Sequence, residues 1–223
     1  MEQVATGVYQ VSRGVNAFIV DGDEGVTLID TGLPGRHRSI TDGLTDIGRS
    51  ADDITAILLT HGHVDHVGGA EAIWTASGAD VLASQDDSSI IRGDRDAPPP
   101  PVLDRVPFIE SIFRLLPSAS PVPVSHIVAE SSGEATPSDV TVIDTPGHTT
   151  GHLSFLLDRD GGILFVGDAA AHADGRIKRG WFNRSTPAID ASIRKLGELE
   201  FDIACFGHSA PLRGNASAAF REF

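Results

Sequence analysis

Thr60-His61-Gly62-His63-Val64-Asp65-His66 places four side chains that can bind a metal ion within six residues. The segment follows residues 54–60, a nearly continuous apolar run that predicts a buried strand. On one continuous helix His61, His63 and Asp65 would point in different directions, whereas on a loop at a strand end they can converge. Imidazole and carboxylate ligands suit zinc, iron or manganese. Structural zinc sites are mostly cysteine-rich, so this cysteine-free cluster predicts a catalytic metal site.

Three later segments repeat one design, in which an apolar strand is followed by a glycine and then by a possible ligand. They are Asp144-Thr145-Pro146-Gly147-His148, Phe165-Val166-Gly167-Asp168 and Cys205-Phe206-Gly207-His208. Glycine lets two backbones approach closely at a strand end, and the next side chain can then point into a shared cleft. Each pair alone is weak evidence, but their order after the histidine cluster indicates one common site.

The sequence around these motifs is rich in strands, with helices closing each half. Alternating or continuous apolar runs and turn residues predict strands at 4–11, 16–21, 25–30, 54–60, 80–83, 140–144, 153–157, 162–166 and 201–206. Apolar faces and end signals predict helices at 34–48, 69–77, 188–199 and after Pro211. Such halves favour two sheets packed face to face with helices outside.

The segment from about 86 to 137 differs from the rest because prolines occur throughout it, including the run at 98–101. Prolines at this density exclude long helices and central strands. We therefore expect one domain over residues 1–223, with an insertion or lid at about 86–137. A short apolar helix predicted at 108–116 could cap the cleft or form a homodimer contact.

The composition limits the class of partner. The 223 residues have a formal net charge of -14, from 31 acidic and 17 basic side chains. That charge disfavours nucleic acids and anionic membranes as partners, so a small-molecule substrate is expected. The single cysteine, Cys205, excludes a disulfide framework. No signal segment or membrane-spanning run is predicted, which favours a cytoplasmic location.

In this order, the histidine cluster, His148, Asp168 and His208 resemble the ligand motifs of the metallo-β-lactamase superfamily, and the resemblance covers nearly the whole chain. Leu28-Ile29-Asp30-Thr31-Gly32 is similar to the first motif of that family, whose aspartate supports the site from behind the ligands. The resemblance implies an α/β fold, a four-layer αββα sandwich with the cleft at one sheet edge. It also implies two divalent metal ions, zinc first, with iron or manganese as alternatives. The implied ligands are His61, His63 and His148 for one ion, Asp65, His66 and His208 for the other, and Asp168 as a bridge.

The resemblance also separates branches of the family. The β-lactamases of this fold lack a bridging aspartate at the position of Asp168, so antibiotic hydrolysis is disfavoured. The pattern is closer to glyoxalase II-like thioesterases and to lactonases. The lactonases have a tyrosine shortly after the bridging aspartate, where this chain has Ala169-Ala170-Ala171-His172. Glyoxalase II has a C-terminal extension that helps to bind glutathione, whereas this sequence ends soon after His208.

The expected chemistry is hydrolysis of an ester, thioester or lactone by a metal-bridging hydroxide. Asp65 is the expected proton shuttle, because a carboxylate beside the nucleophile can accept and return its proton. His172, which could stand where the lactonase tyrosine would be, is predicted to hydrogen-bond the substrate. His152 is expected to support a ligand from behind or to pack. The basic stretch 178–184, with Trp181 and Phe182, is predicted to form a loop that lines the cleft.

The sequence is also compatible with other functions. A mononuclear-iron persulfide dioxygenase has the same fold and a similar histidine cluster, and its iron content would distinguish it. A nuclease or phosphodiesterase has the same pattern of ligands, but the acidic balance counts against it. A binding protein without catalytic activity is disfavoured because no ligand position is lost.

Overall fold

Two β-sheets form the centre of the fold, in a computed structural model that describes residues 1–12, 14–98, 118–130 and 135–223. The strands of the first sheet, in their order across it, are β1 (Glu2–Ala5), β2 (Val8–Ser12), β3 (Asn16–Gly22), β4 (Gly25–Ile29), β5 (Ile54–Leu58), β6 (Asp80–Ala83) and β7 (His126–Ile127). Strands β1 to β4 are antiparallel, and β4 to β7 run parallel.

The second sheet has the order β14-β13-β10-β9-β8. Its strands are β8 (Val140–Asp144), β9 (Leu153–Leu157), β10 (Ile163–Gly167), β13 (Ile203–Phe206) and β14 (Leu212–Arg213). Strands β10 and β13 are parallel, and the other pairs are antiparallel. A separate hairpin joins β11 (Ala170–Ala173) to β12 (Arg176–Arg179).

Helices cover the outer face of each sheet. The described helices are α1 (His37–Asp46), α2 (Val64–Val67), α3 (Ala70–Ser77), α4 (Gln85–Ile91), α5 (Thr186–Gly197) and α6 (Ala216–Arg221), with a 3-10 turn at Ala51–Asp53. No helix among these described segments is long and apolar enough to cross a membrane.

Central strands are apolar on both faces because each face meets a different layer. In β3, Ile19 packs with helix residues such as Leu44, whereas its neighbour Phe18 points between the sheets. The Phe18 ring lies 5.2 Å from the Phe165 ring of the second sheet, measured between centroids. Fully burying such a side chain stabilises a fold by about 1.5–3 kcal/mol. On the far side, Leu164 packs with residues of α5 and α6. Three hydrophobic cores therefore separate four layers, one core between each pair of adjacent layers. This arrangement confirms the predicted αββα sandwich.

Three predictions of local structure need correction. The run predicted as one strand at 4–11 is two strands, because the chain turns at Thr6-Gly7, where Gly7 has φ +70°. The stretch after Asp168 forms the β11–β12 hairpin, so the basic residues at 178 and 179 lie in a strand. Helix α4, which was not predicted, occupies the start of the proline-rich segment, and its seven residues do not contradict the expected absence of long helices there. The histidine motif is not all loop, because residues 64–67 form α2. The helix predicted at 108–116 lies outside the described residues.

The topology brings several strand ends to one edge of the sandwich. Strands β4 and β5 are parallel, as are β10 and β13, so the carboxyl ends within each pair point the same way. Asp30 follows β4, and the histidine motif follows β5. Asp168 and His208 follow β10 and β13. This edge is therefore where the sequence motifs can meet.

Candidate metal centre

The structure brings all the predicted ligands together at this edge. Their candidate ligand atoms form three overlapping groups, within each of which the atoms lie no more than 4.8 Å apart. The groups are His61, His63 and His148; His61, His66 and Asp168; and Asp65, His66 and His208. Because His61 and His66 each belong to two groups, the side chains form one continuous cluster that draws on both sheets.

The first group is a set of nitrogen atoms that face one another. His63 Nδ1 lies 3.0 Å from His61 Nε2 and 2.9 Å from His148 Nε2. Burial is the main cause that lowers the pKa of these histidines, to about 3 for His63, and neighbouring imidazoles add to it. Three neutral imidazoles with converging nitrogens are well suited to a cation, because the neutral form is the one that binds metal.

Asp168 lies between the first group and the third. Its Oδ2 is 3.6 Å from His148 Nε2 and 3.2 Å from His208 Nε2, and its Oδ1 is 3.4 Å from His66 Nε2. Burial opposes ionisation of this carboxyl, but His66 and the hydrogen bond with His208 outweigh it and hold the pKa of Asp168 well below its usual value. These neighbours therefore favour the ionised carboxylate, and its bridging role stays a prediction.

Asp65 completes the third group from helix α2. Its Oδ2 lies 3.4 Å from His208 Nε2 and 4.0 Å from His66 Nε2. The hydrogen bond with Asp168 is the main cause that raises the pKa of His208. Two carboxylates and two imidazoles thus face one another across a few ångströms.

Unpartnered buried atoms show that these residues fit divalent metal ions. Among the described residues, His66 Nε2 and Asp168 Oδ1 are buried without a hydrogen-bond partner, and they face each other. Leaving such atoms unsatisfied costs about 1–3 kcal/mol each. A divalent cation coordinated by both would remove that cost, and imidazole and carboxylate are its usual ligands.

Asp30, at the end of β4, fixes which ring nitrogen two of the ligands present. Its carboxylate accepts hydrogen bonds from the Thr60 N–H and the Thr60 hydroxyl, both at 2.8 Å, and from His66 Nδ1 at 2.7 Å. Since the Thr60 hydroxyl donates to Asp30, it accepts from His61 Nδ1, which lies 3.0 Å away. Both His61 and His66 therefore carry a proton on Nδ1 and direct Nε2 into the site.

Two carboxylates favour the protonated form of His66 in the metal-free centre. Burial lowers the pKa of this imidazole, but the carboxylates of Asp168 and Asp30 outweigh burial and raise it well above the usual value. Since a metal ion binds the neutral imidazole, metal binding at Nε2 would compete with protonation of His66.

Sequence reasoning missed Asp87, which connects two ligand loops from behind. Its carboxylate, on α4, accepts hydrogen bonds from the Thr149 hydroxyl at 2.7 Å and from the Gly62 N–H at 3.3 Å. Gly62 lies between His61 and His63, and Thr149 follows His148. The Ser84 hydroxyl, which accepts from the Asp87 N–H, caps α4. A serine followed three residues later by an acidic residue could have predicted the start of α4, but not the contacts of Asp87 with the ligand loops.

The predicted substrate residues lie beside the cluster. His172, on β11, stacks on Phe206 at 6.0 Å between ring centroids, and its backbone N–H donates a hydrogen bond to Ser209 Oγ. It belongs to none of the three ligand groups. Its contact with substrate stays a prediction.

Trp181 stands at the mouth of the centre. Its ring lies 5.9 Å from the His208 ring, and 62% of the residue is exposed. Phe182 beside it is 56% exposed. Arg179 of the same basic stretch pairs with Asp190 of α5, with Nη2 donating to Oδ2 at 2.9 Å. The Trp181 side chain, rather than this arginine, is therefore the part of the stretch available beside the ligands.

Fold, motif order and ligand geometry together define a metal-centre protein of the metallo-β-lactamase type, and sequence comparison agrees. The model of the metallo-β-lactamase superfamily matches residues 12–208, so the chain belongs to this superfamily.

Individual relatives and structures share parts of this chain. It is 30% identical over 202 residues to "Probable metallo-hydrolase YflN" of Bacillus subtilis, covering 84% of this chain and 76% of the relative. It is 33% identical over 159 residues to a hydroxyacylglutathione hydrolase of Cereibacter sphaeroides, covering 70% of this chain and 48% of that protein. A solved B3 metallo-β-lactamase with an active-site glutamic acid has a TM-score of 0.74 at 27% identity, over 99% of this chain and 84% of that one. The chain thus spans about half the length of the hydroxyacylglutathione hydrolase that it matches.

Proposed function

We propose that the protein is a dinuclear metal-dependent hydrolase of ester-type carbonyl bonds, with thioesters as the first substrate class. The observation that carries this proposal is the position of Asp168 between two groups of ligands, within 3.6 Å of His66, His148 and His208. A carboxylate in that position suits a bridge between two ions. Similarity to a hydroxyacylglutathione hydrolase, which by its name acts on a glutathione thioester, supports the choice of substrate class.

The candidate ligands divide into two sets, one for each of two divalent metal ions. Zinc is the expected metal, with iron or manganese as alternatives. His61, His63 and His148 would hold one ion, and Asp65, His66 and His208 the other, with Asp168 shared. When bound, such a pair supplies an activated water and polarises the carbonyl oxygen of the substrate.

The chain's own residues supply the proton transfer and the orientation. The Asp65 carboxylate would accept the proton of the attacking water and return it to the leaving group. Asp30 keeps His61 and His66 in the tautomer that presents Nε2. His172 would orient the substrate from the β11–β12 hairpin, and the Trp181 side chain would cover its apolar part.

A hydrolysis panel on metal-replete protein tests the proposal. The panel contains glutathione thioesters, homoserine and simple γ-lactones, aryl esters and a phosphodiester, with metal content measured on the same sample. Thioester turnover and two ions per chain are expected. Asp168→Ala should abolish turnover, and Asp23→Ala, which removes an exposed carboxylate in a turn, should leave it unchanged.

Other outcomes of that experiment would replace the proposal. One iron per chain with no hydrolysis would favour persulfide oxidation, and cleavage of phosphodiesters alone would favour a nuclease. A small-molecule substrate, the absence of nucleic-acid and membrane partners, a homodimer and a cytoplasmic location stay predictions.

A further inference from the structure

His152 lies directly behind Asp168 without being one of its fellow ligands. Only 1% of its surface is exposed. Its Nε2 accepts a hydrogen bond of 3.0 Å from the Asp168 backbone N–H. Its other nitrogen, Nδ1, lies 2.8 Å from the Thr145 hydroxyl. The imidazole therefore connects a buried hydroxyl to the backbone of the proposed bridging residue.

The direction of each hydrogen bond in this chain follows from chemistry. A backbone N–H can only donate, so His152 Nε2 carries no proton, and a neutral imidazole then has its proton on Nδ1. That N–H donates to Thr145 Oγ1. The Thr145 and Ser154 hydroxyls are 3.0 Å apart, and the Ser154 hydroxyl donates to the Val166 carbonyl at 3.1 Å. The Thr145 hydroxyl therefore donates to Ser154.

These bonds form a closed loop that begins and ends on one strand. Val166 lies in β10, and Asp168 follows the end of the same strand. Thr145 follows β8, and Ser154 lies in β9. The loop thus ties the end of β10 to the two strands beside it, and all three hydrogen-bonding side chains are buried.

The residue before Asp168 leaves the space that this contact needs. Gly167 has φ +58°, and a Cβ at this position would lie 2.7 Å from His152 Nε2 and 3.0 Å from Thr60 Cβ. Any side chain here would displace the imidazole from the Asp168 N–H. The glycine of the motif therefore admits His152 as well as allowing the turn.

We propose that His152 is a positioning residue, which holds the Asp168 backbone through Nε2 so that the carboxylate stays between the two groups of ligands. Thr145 fixes the required tautomer. Without the Thr145 hydroxyl the Nδ1–H has no acceptor, and moving the proton to Nε2 would set two N–H donors against each other. This inference rests on the bridging role of Asp168 in the proposed function.

Thr145→Val and Thr145→Ser form a matched pair for the test. Valine has nearly the shape of threonine but no hydroxyl, whereas serine keeps the hydroxyl. Zinc affinity is measured by competition with a chromophoric chelator, on protein shown to be folded. We expect Thr145→Val to bind about tenfold more weakly or worse, because outer partners of metal ligands typically contribute 10–100-fold in affinity. Thr145→Ser should stay within about twofold of wild type.

A spectroscopic measurement on the wild-type protein covers the case in which Thr145→Val does not fold. Nitrogen-15 NMR of histidine-labelled protein should show His152 with a protonated Nδ1 and an unprotonated Nε2. A protonated Nε2 would overturn the inference. So would a folded Thr145→Val protein with wild-type zinc affinity, because lower stability alone would then be a purely structural effect.

These readouts separate the inference from the proposed function. Neither zinc affinity nor the NMR spectrum requires a substrate. A protein inactive on the whole substrate panel, but sensitive to Thr145→Val in zinc binding, would keep the positioning role and lose the hydrolase proposal. Thioester turnover by the wild type, with no effect of Thr145→Val on zinc affinity, would keep the hydrolase proposal and exclude the positioning role.

Discussion

Replacing Asp30 with asparagine should change the proton positions of two ligands without changing the shape of the site. In the wild type one carboxylate accepts three hydrogen bonds, two from Thr60 and one from His66 Nδ1. An asparagine amide has one oxygen, so in either orientation its NH₂ group faces at least one donor. When the NH₂ group takes the place of Oδ2 it faces His66 Nδ1, and the easiest relief is then for His66 to carry its proton on Nε2 alone, which is the atom directed at the metal.

The magnitude follows from the bonds that are lost. A hydrogen bond to a charged group contributes about 1.5–3 kcal/mol, and asparagine loses at least one such bond while weakening the others. We expect the free energy of unfolding of the metal-free protein to fall by about 2–4 kcal/mol. Zinc affinity should fall by about 10–100-fold, the usual effect of removing an outer partner of a metal ligand.

Chelator competition measures zinc affinity, and urea unfolding measures stability. Asp23→Asn, an exposed carboxamide substitution, serves as the control and should change neither quantity. A folded Asp30→Asn protein that binds zinc within about twofold of wild type would refute the reasoning, since the tautomers of His61 and His66 would then not depend on Asp30.

Three further predictions concern side chains around the centre. Asp65→Asn should lower kcat far more than it changes KM, because it removes the proposed proton acceptor; wild-type turnover would exclude that role. Trp181→Ala should raise KM for substrates with an apolar group beside the metal centre and leave kcat nearly unchanged, whereas Trp181→Phe should retain the wild-type KM; equal KM values for all three proteins would contradict the prediction. Burial is the main cause that raises the pKa of Asp87. The folded protein therefore binds the proton of the Asp87 carboxyl more tightly than the unfolded chain does. This contribution to stability is present at low pH and is lost as pH rises through the pKa of Asp87 in the folded protein. Urea unfolding of the metal-free proteins between pH 4 and 7 should therefore show Asp87→Asn gaining stability relative to wild type as pH increases. A stability difference between the two proteins that does not change with pH would contradict this prediction.

The convergence of the candidate ligands at one edge could be predicted because its signal is local. Each motif pairs a strand end with a ligand within a few residues, and parallel strands necessarily bring such ends to a common edge. The αββα layers were predictable for the same reason, since strands that are apolar on both faces require a layer on each side.

The supporting contacts could not be predicted because they join distant parts of the chain. Nothing near Asp87 indicates that its carboxylate reaches Gly62 and Thr149. The β11–β12 hairpin follows Asp168 with small and basic residues rather than a clear alternation. At the N-terminus, the apolar pattern of β1 and β2 continues through Thr6-Gly7, so the sequence did not indicate a turn between the two strands.

Because the ligands come from both sheets, bound metal ions would act as a cross-link between the two halves of the sandwich. The ligands span residues 61 to 208, so the loop that the ions would close contains most of the chain. Closing a long loop in the folded state makes separation of the halves costly, because the sheets cannot part without breaking coordination. Resistance to unfolding should therefore depend on the free metal concentration. A cell that limits this metal would control how long the protein survives, as well as how fast it works.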